Sequence, residues 1–512
     1  MRTTWRRLAL PAAPVALVLL AATGCTGTPD TPAKPGGGSA TSSGSRVSKP
    51  QVCADPVEGP EQAPAGAVTI DPAVPGDLAA KTRNSPPGTT FWLRPGTHTL
   101  KPDRYAQVVA KKGNTYLGAP GAVLDGQRKN NYAFSGTDPD VTIRHLTVQG
   151  FAAPHNEGVV NHDMADGWVI EHSTVQRNSG AGLMAGARQK VRGNCLRDNG
   201  QYGMNAYKTG DSIKDLVVEG NEITGNNTDD WEKQRPGCGC TGGIKFWAVN
   251  GADIRGNWVH DNRGTGLWAD NNNNDFLIEN NLIEGNDAAA VMYETSYNAV
   301  IRGNTIRRNN WVQGRTYAER GDAFPYATVY ISESGGEPRI EARTDRIEID
   351  GNLLEDNWNG ITLWENADRY CNSPANTSSG YCTLLVEDVE TCAQPGIKSP
   401  PLYADCRWKT QRVDIHDNEF LLDPTVLKCS GRCGRMAVIA NYGTYPDWSP
   451  YKGGKIAEAI TGKQDNRWYD NAYRGPWTFL SGDMSRTVSA EEWRSAPQRQ
   501  DTGSTFEAGT GG

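Results

Sequence analysis

The chain has 512 residues, a formal net charge of -7, 22% charged and 8% aromatic residues, 58 Gly and 15 Trp, and a mean hydropathy of -0.60. This polar, glycine-rich balance favours many short strands joined by turns over a helical protein. The acidic charge, with no basic patch able to neutralise phosphates, excludes nucleic acid as the expected partner.

The first 25 residues are predicted to be a targeting segment. Arg6 and Arg7 precede the apolar run LALPAAPVALVLLAA, which ends in TGC at Cys25. Small residues before a cysteine resemble the lipobox of bacterial lipoproteins, although Ala22 stands where that motif usually carries Leu. The resemblance implies a lipid-modified Cys25 on the extracellular face of the cell membrane. The alternative is ordinary signal-peptide cleavage and secretion.

A tether follows the targeting segment. Residues 26–50 consist mostly of Gly, Ser, Thr and Pro with few apolar side chains. Such a composition cannot bury a core, so the sequence predicts a disordered linker. No later stretch is long and apolar enough to span a membrane.

The cysteines agree with export. The 11 Cys leave an even number after Cys25, as paired disulfides require. Eight lie in apparent insertions: Cys238, Cys240, Cys371, Cys382, Cys392, Cys406, Cys429 and Cys433. We predict disulfides that staple loops in an oxidising compartment, with the pairing left open. A metal site is the alternative for the close pairs, although no His lies near either.

The folded part begins near Cys53. Residues 76–100 combine a helix-like segment, a Pro-Pro-Gly turn and a strand, and residues 114–127 add two short strands around a glycine-rich turn. This stretch resembles the N-terminal end of right-handed parallel β-helix proteins of the pectin-lyase-like superfamily. The resemblance implies a helix that caps the first coil and protects the sheet edge.

A repeat carries the resemblance through most of the chain. One Asn recurs at Asn194, Asn221, Asn257, Asn281, Asn304, Asn352 and Asn418, and a second recurs five residues later at Asn199, Asn226, Asn262, Asn286, Asn309 and Asn357. A period of about 25 residues is that of one β-solenoid coil. Stacked Asn side chains form hydrogen-bonded ladders, so we interpret both rows as structural.

The predicted fold is therefore all-β: a single-stranded right-handed parallel β-helix with terminal caps and inserted loops. We place the N-terminal cap and first coils at 51–140, the β-helix at 141–502 and a disordered tail at 503–512. Four aromatic residues are predicted to close the C-terminal end of the core: Trp468, Trp477, Phe479 and Trp493.

Three insertions interrupt the period, at residues 227–242, 310–327 and 366–411. In a solenoid, insertions emerge as loops and commonly form the walls of a groove. The alternative is decoration without function.

The strand after the second Asn shows which side chains face out. Period-two alternation places one set inside, namely Leu183, Ile244, Leu267, Val291, Val329 and Ile361. The others form two outward columns: Val160, Met184, Asn205, Lys245, Trp268, Met292, Tyr330 and Thr362, and beside them His162, Tyr207, Trp247, Asp270, Glu294, Ser332 and Trp364.

These columns are rich in aromatic residues, which stack against sugar rings when they are exposed in a groove. We therefore predict a polysaccharide groove. Its substrate-binding residues are Tyr207, Trp247, Trp268, Tyr330, Trp364 and His162. The alternative is that the inserted loops fold down and bury these aromatic side chains.

Asp270 and Glu294 occupy equivalent positions on adjacent strands, about 4.8 Å apart. Retaining glycosidases hold two carboxyl groups about 5 to 5.5 Å apart, and crowding raises one pKa to give an acid beside a base. Lys245 lies one coil earlier. It is placed to neutralise a carboxylate or, in a lyase or epimerase, to act on a uronate substrate. We predict Asp270, Glu294 and Lys245 as catalytic; the alternative is a surface charge cluster without chemistry.

The run from Asp270 to Asp275 also offers oxygen ligands for Ca²⁺, although it lacks the EF-hand spacing and is equally explained as a turn. No other cofactor is predicted.

The resemblance does not supply a reaction. The Asp-Pro-His-Asp motif of mannuronan epimerases, the Asn-Thr-Asp and Gly-His-Gly set of polygalacturonases and the Arg-x-Pro-x-x-Arg of pectate lyases are missing, and the nearest fragment is Asp138-Pro139-Asp140. Two function classes remain: an exported polysaccharide hydrolase or lyase, and a noncatalytic glycan-binding or envelope lipoprotein. Both imply a polysaccharide or oligosaccharide partner and a monomer.

Overall fold

The computed structural model describes residues 47, 49–208, 210–235, 241–366, 369, 371, 382–386, 388–429, 431–441, 455–482, 484 and 486–507. These residues form one compact unit. The predicted targeting segment, Cys25, most of the tether, Cys238 and Cys240 lie outside the described residues. Within the described ranges, no helix is long and apolar enough to cross a membrane.

Three long sheets make up the described part of the chain. Sheet 1 contains Val68–Ile70, Thr90–Leu93, Thr115–Gly118, Thr142–Arg144, Val169–Glu171, Lys190–Arg192, Ile213–Glu219, Val249–Arg255, Asn274–Glu279, Ala299–Arg302, Ile347–Asp350, Val413–His416 and Arg467–Tyr469. Sheet 2 contains Gly96–Thr99, Ala122–Asp125, Thr147–Gln149, Thr174–Gln176, Cys195–Arg197, Glu222–Thr224, Trp258–His260, Leu282–Glu284, Thr305–Arg307, Leu353–Glu355, Glu419–Leu421, Ala472–Arg474 and Thr505–Glu507. Sheet 3 contains Gly158–Val160, Ala181–Met184, Tyr202–Ala206, Gly242–Trp247, Thr265–Asn271, Val291–Glu294, Val329–Ser332, Ile361–Asn366, Arg435–Asn441, Thr478–Gly482 and Thr487–Val488.

From Thr142–Arg144 onward, the central coils each contribute one strand to each sheet. One coil runs through Val249–Arg255, Trp258–His260 and Thr265–Asn271, and the next begins at Asn274–Glu279. Neighbouring strands are parallel, except that the last strand of sheet 3 is antiparallel to its neighbour. A small parallel pair, Val108–Val109 with Phe134–Ser135, lies outside the three sheets. The predicted all-β parallel β-helix is confirmed.

The helices of the described residues are short. The α-helices are Asp77–Asn84, Trp231–Gln234, Trp311–Glu319, Leu402–Asp405, Pro424–Leu427, Lys455–Gly462 and Ala490–Arg494, and the 3₁₀ helices are Thr391–Ala393 and Pro395–Lys398. Trp231–Gln234 and Trp311–Glu319 lie in the first two predicted insertions, and Leu402–Asp405 lies in the third.

The two predicted Asn rows are ladders that run along the helix. Asn257 Nδ2 donates to Asn281 Oδ1 at 2.9 Å and to the carbonyl oxygen of Val218 at 2.9 Å, while the Asn257 backbone N–H donates to Asn281 Oδ1 at 2.9 Å. The first ladder is Asn194, Asn221, Asn257, Asn281, Asn304, Asn352, Asn418 and Asn471. The second is Asn178, Asn199, Asn226, Asn262, Asn286, Asn309 and Asn357. All are buried, so the polar groups of each turn are satisfied by hydrogen bonds to the neighbouring coils.

The interior is a continuous apolar column. The six residues predicted to face inward from sheet 3 are all buried in it: Leu183, Ile244, Leu267, Val291, Val329 and Ile361. They stack strand upon strand because a parallel, in-register ladder places equivalent side chains one strand spacing apart, about 4.8 Å.

Both ends of the column are closed. The helix Asp77–Asn84 buries Leu78 and Thr82 at the N-terminal end. At the other end, Trp468, Trp477, Phe479 and Trp493 are in the core as predicted, and the Trp493 ring centroid lies 5.3 Å from Trp468 and 5.0 Å from Phe479. The strand Thr505–Glu507 pairs with Ala472–Arg474, so the last coil extends into the predicted tail.

The segment before the first strand lies along sheets 1 and 2, across several coils. Lys49 Nζ is 2.9 Å from Glu284, Cys53 forms a disulfide with Cys195, and the carbonyl of Pro60 accepts a hydrogen bond from Trp92 at 3.0 Å. A cavity of about 640 Å³ lies between this segment and the coils. The segment therefore ties coils together that are far apart in sequence.

The inserted cysteines are also close to one another. Cys429 and Cys433 form a disulfide. Cys392 lies at bonding distance from both Cys371 and Cys406, and a sulfur forms one disulfide, so this cluster admits either bond. Cys382 is buried in the same cluster as a free thiol.

His260 links sheet 2 to the N-terminal segment. Its Nδ1 is 2.7 Å from Asp261 Oδ2 and its Nε2 is 3.2 Å from Glu222 Oε1, and the Cys53 backbone N–H donates to the other Glu222 oxygen at 2.8 Å. Burial disfavours the charged imidazole, but the hydrogen bonds to Asp261 and Glu222 outweigh it and raise the pKa of His260.

Replacing Asn281 by Ala should lower the free energy of unfolding by about 2 kcal/mol or more, because it leaves buried donors and acceptors of two neighbouring coils without partners. Asn84, exposed at the end of its helix, provides the control, and Asn84→Ala should be nearly neutral. Urea denaturation measures both. Equal midpoints for the two variants would contradict a structural role for the ladder.

His260→Gln should destabilise the protein most at acidic pH. A group whose folded-state pKa is raised stabilises the fold fully below its unfolded value, about 6.5, and loses that contribution as the pH rises through the folded value. The pKa of His98 is lowered by burial, so His98→Gln should show the opposite trend. Denaturation midpoints across this pH range test both, and parallel curves would refute the assignment.

Candidate active site

The outward column of sheet 3 is in the predicted register over its central strands. Lys245 pairs with Trp268, Trp268 with Met292, and Met292 with Tyr330. Tyr330 in turn pairs with Thr362. On the other side Asn205 pairs with Met184 and with Lys245, so one outward column runs without interruption over seven strands.

The predicted register is wrong at two places. Val160 pairs with Leu183 rather than Met184, and since a one-residue slip exchanges the two faces, Val160 lies in the core. His162 follows this slip and stacks on Tyr132, with ring centroids 3.6 Å apart. Trp247 pairs with Asn271 rather than Asp270 because the register shifts between Phe246 and Trp247.

The aromatic column is less exposed than predicted. Only 8% of Trp268 and 5% of Tyr330 is exposed. Phe324 lies edge-on to Tyr330 at 5.8 Å and Tyr326 lies 5.5 Å from it. The second insertion thus folds down onto this part of the sheet, as in the alternative interpretation. Three other predicted substrate-binding residues are half-buried, namely Tyr207, Trp247 and Trp364.

Beside the buried rings lies a group of five charged side chains, which we call the charged cluster: Lys245, Asp270, Glu294, Glu333 and Arg369. Lys245 Nζ is 2.8 Å from Asp270 Oδ2, and Arg369 pairs with Glu294 and lies 3.6 Å from Glu333. The sequence predicted Lys245, Asp270 and Glu294, and the structure places them in one cluster.

Trp268 connects the two ion pairs. Lys245 Nζ lies 4.1 Å from the centroid of its ring, and Trp268 Nε1 donates to Glu294 Oε2 at 3.2 Å. A cation over an indole face is stabilised by the ring quadrupole, more strongly when water is excluded. One tryptophan therefore fixes both a cation and a carboxylate.

Burial and charge act together on the ionisation of the cluster. Burial disfavours the charged form of Lys245, but Asp270, Tyr202 and Glu294 together outweigh it and raise the pKa of Lys245. Arg369 behaves in the same way: burial is outweighed by Glu333 and Glu294, which raise its pKa. Burial raises the pKa of Glu333 to about 7, assisted by Glu294 and opposed by Arg369.

Asp270 and Glu294 are not the couple of unpaired carboxyl groups that the sequence suggested. Each has its own cation, Lys245 for Asp270 and Arg369 for Glu294. The carboxyl group whose pKa is raised towards neutrality is Glu333. Two carboxyl groups next to a third whose pKa burial raises to about 7 are suited to proton transfer.

Sequence reasoning missed Glu333 and Arg369. Glu333 follows the strand Val329–Ser332 at a turn position with φ of 43°, where period-two alternation no longer applies. Arg369 belongs to the third insertion and meets a residue 75 positions away, so no local pattern marks it.

Two other missed residues lie near Lys245. The rings of His155 and Trp231 are in contact, tilted by 51° with their centroids 4.2 Å apart. Burial lowers the pKa of His155, and the nearby Arg235 and Lys245 lower it further. Trp231 belongs to the first insertion, so this insertion and the loop of His155 approach the same side of the cluster.

The predicted Ca²⁺ run does not fit a calcium site. Asp270 is neutralised by Lys245, and Asp275 pairs with Arg343 at 2.8 Å, so its two carboxylates serve different partners. Within the described residues, the group of His, Cys, Asp or Glu close enough to hold a metal is Cys371, Cys392 and Cys406. Because Cys392 lies at disulfide-bonding distance from the other two sulfurs, the predicted disulfides are favoured over a metal site.

Lys245→Met should destabilise the protein by about 2 to 3 kcal/mol, because Asp270 then keeps a largely buried charge without its cation. Adding Asp270→Asn should recover much of that loss. Chemical denaturation of the wild type, the two single variants and the double variant measures the coupling. Additive effects would show that the ion pair contributes nothing.

Comparison with known proteins places the fold. A family model for the right-handed beta helix region matches residues 157–345 and 235–377. The A-module of mannuronan C-5 epimerase AlgE6 from Azotobacter vinelandii is 14% identical, with a TM-score of 0.40 over 71% of this chain and 92% of that chain. The catalytic unit of a GH87 α-1,3-glucanase from Streptomyces thermodiastaticus is 12% identical, with a TM-score of 0.45 over 88% and 69%.

A surface adhesin of Streptococcus pneumoniae, PfbA, is 9% identical, with a TM-score of 0.37 over 81% of this chain and 89% of that chain. None of the curated proteins matches the sequence. With its three stacked parallel sheets the chain is a parallel β-helix, and the family model for the right-handed beta helix region matches its central part.

Proposed function

We propose that the protein is an exported enzyme that hydrolyses a polysaccharide at the charged cluster of sheet 3. One observation carries the proposal: Asp270 and Glu294, on neighbouring strands, are each paired with a cation, and the buried Trp268 contacts both Lys245 and Glu294. Such preorganisation of titratable groups is more common at functional sites than on structural surfaces.

The position of the carboxylates suits glycoside hydrolysis. The strands of Asp270 and Glu294 are hydrogen-bonded neighbours, and adjacent strands lie about 4.8 Å apart, close to the separation in retaining enzymes. In such a reaction one carboxylate forms a bond to the anomeric carbon as the glycosidic C–O bond breaks. The other carboxyl group, protonated at this stage, gives its proton to the leaving oxygen, and as a carboxylate it then takes a proton from the water that releases the sugar.

Charge favours hydrolysis over a lyase reaction on uronates. The cluster holds three carboxyl groups and two cations, and both cations already pair with carboxylates. A substrate carboxylate would have to displace an internal partner and would meet repulsion from the remaining acids. An uncharged glycan meets no such barrier, and Trp247, Tyr207 and Trp364 provide half-buried rings near the cluster for stacking.

Export and membrane attachment belong to the same proposal. The leader and Cys25 support a lipoprotein on the extracellular face of the membrane. The disulfides Cys53–Cys195 and Cys429–Cys433 support an oxidising compartment. We propose that the protein acts there as a monomer on an extracellular glycan.

A second candidate is glycan binding without turnover. It is favoured by the ion pairs themselves, because neutralised carboxylates are also what a stable, unreactive surface requires. The burial of Trp268 and Tyr330 beneath the second insertion agrees with it. The two candidates differ only in whether bonds are cleaved.

Asp270→Asn and Glu294→Gln should each reduce hydrolysis at least about a hundredfold while glycan binding is retained. Glu279→Gln on sheet 1 is the matched control and should be fully active. A panel of neutral and uronate-containing glycans, assayed for new reducing ends and for unsaturated uronates, provides the measurement.

The outcomes separate the candidates. New reducing ends that disappear in both cluster variants support hydrolysis, and unsaturated products would assign a lyase instead. Binding without products, weakened by Trp364→Ala, would establish the second candidate. Neither binding nor turnover over the panel would overturn both.

A further inference from the structure

Glu333 is the fully buried member of the charged cluster: none of its side chain is exposed. It occupies the turn after Val329–Ser332, where neighbouring coils carry Asn272 and Thr295 in the same left-handed conformation. The Ser332 hydroxyl donates to Glu333 Oε2, and the Asn366 backbone N–H donates to Oε1 at 3.2 Å. Both carboxyl oxygens are therefore held in place.

Arg369 is shared between two carboxyl groups. Its Nη1 pairs with Glu294 Oε1 and also lies 3.6 Å from Glu333 Oε2. The same nitrogen therefore faces an acid on the strand Val291–Glu294 and an acid one coil further on. A single cation between two acids responds to the charge of each.

We propose that Glu333 is a positioning residue of the charged cluster, which controls through Arg369 how firmly Glu294 is held. Only the effect of Glu333 on catalysis rests on the proposed function; its effect on the ion pair between Arg369 and Glu294 does not. When Glu333 is neutral, the cluster has two carboxylates and two cations, and Arg369 belongs to Glu294. When Glu333 is ionised, Arg369 is drawn towards it and Glu294 becomes free to act on a substrate.

The groups that face Glu333 agree with this assignment. Arg369 is its cation, Glu294 is the acid on the preceding strand, and Tyr330 is the titratable group on its own strand. Burial raises the pKa of Tyr330 well above its usual value, so Tyr330 stays neutral. The following strand contributes the Asn366 N–H, which carries no charge. Glu333 is thus the group of this set that changes charge near neutral pH, since its pKa is about 7.

The alternative is a purely structural buried carboxyl. The chain offers a matched example in Glu365, which is fully buried and paired with Arg407. Gln464 and the Thr410 backbone N–H also bind its carboxylate. The partners of the Glu365 side chain are thus Arg407, Gln464 and Thr410, whereas those of the Glu333 side chain are Arg369, Ser332 and Asn366. Glu365→Gln therefore reports what loss of a buried acid does by itself.

The test needs no substrate. The coupling between Glu294 and Arg369 is measured by double-mutant cycles, Glu294→Gln with Arg369→Met, at about pH 5.5 and about pH 8.5. In the wild-type background, the contribution of this coupling to the unfolding equilibrium constant should fall about threefold to tenfold at the higher pH. In the Glu333→Gln background it should be the same at both values, and in the Glu365→Gln background it should fall as in the wild type.

The proposal is overturned if the coupling between Glu294 and Arg369 is independent of pH in the wild type. It is also overturned if the coupling falls with pH as much in the Glu333→Gln background as in the wild type. If hydrolysis is found, the wild-type rate should rise through neutral pH, and Glu333→Gln should remove this rise while Glu365→Gln retains it. If no glycan is cleaved, the proposed function fails but the cycles still decide the role of Glu333.

Discussion

The stacking of coils at the spacing of parallel strands is the constraint on which the rest of this structure depends. Each coil repeats because Asn257, Asn281 and their equivalents hydrogen-bond at once to the coil before and the coil after. The amide saturates backbone groups that a tight turn would otherwise leave buried and unpaired. With the turns fixed, inward residues such as Leu267 and Val291 fall on one another and bury a continuous core.

The same constraint brings charged residues together. A side chain on one coil has its equivalent one strand spacing away, so charges separated by a full repeat meet on the surface of sheet 3. Lys245 and Asp270, for example, lie on neighbouring strands and form an ion pair. The regular scaffold sets their spacing, while the insertions contribute what the repeat does not, such as Arg369 and the rings of Phe324 and Tyr326.

Electrostatic balance then decides what the cluster is able to do. Each cation is matched to a carboxylate, because an unpaired charge at this depth would cost more than the fold could offset. The exception is the third acid, Glu333, which stays protonated up to about neutral pH because burial disfavours its charge. Stability and the proposed chemistry therefore depend on the same few ion pairs.

By itself the sequence determined the coil, the two Asn ladders, the inward column and the aromatic C-terminal closure. These follow from periodicity, which is a local property that each coil repeats. Only the tertiary structure decided the register at Val160 and Trp247, since a slip or bulge leaves no mark in composition. It also decided the burial of Trp268 and Tyr330 and the partners of Asp270 and Glu294. Arg369 reaches Glu294 from an insertion 75 residues away, and contacts of that kind are set by how a loop folds back, which no repeat encodes.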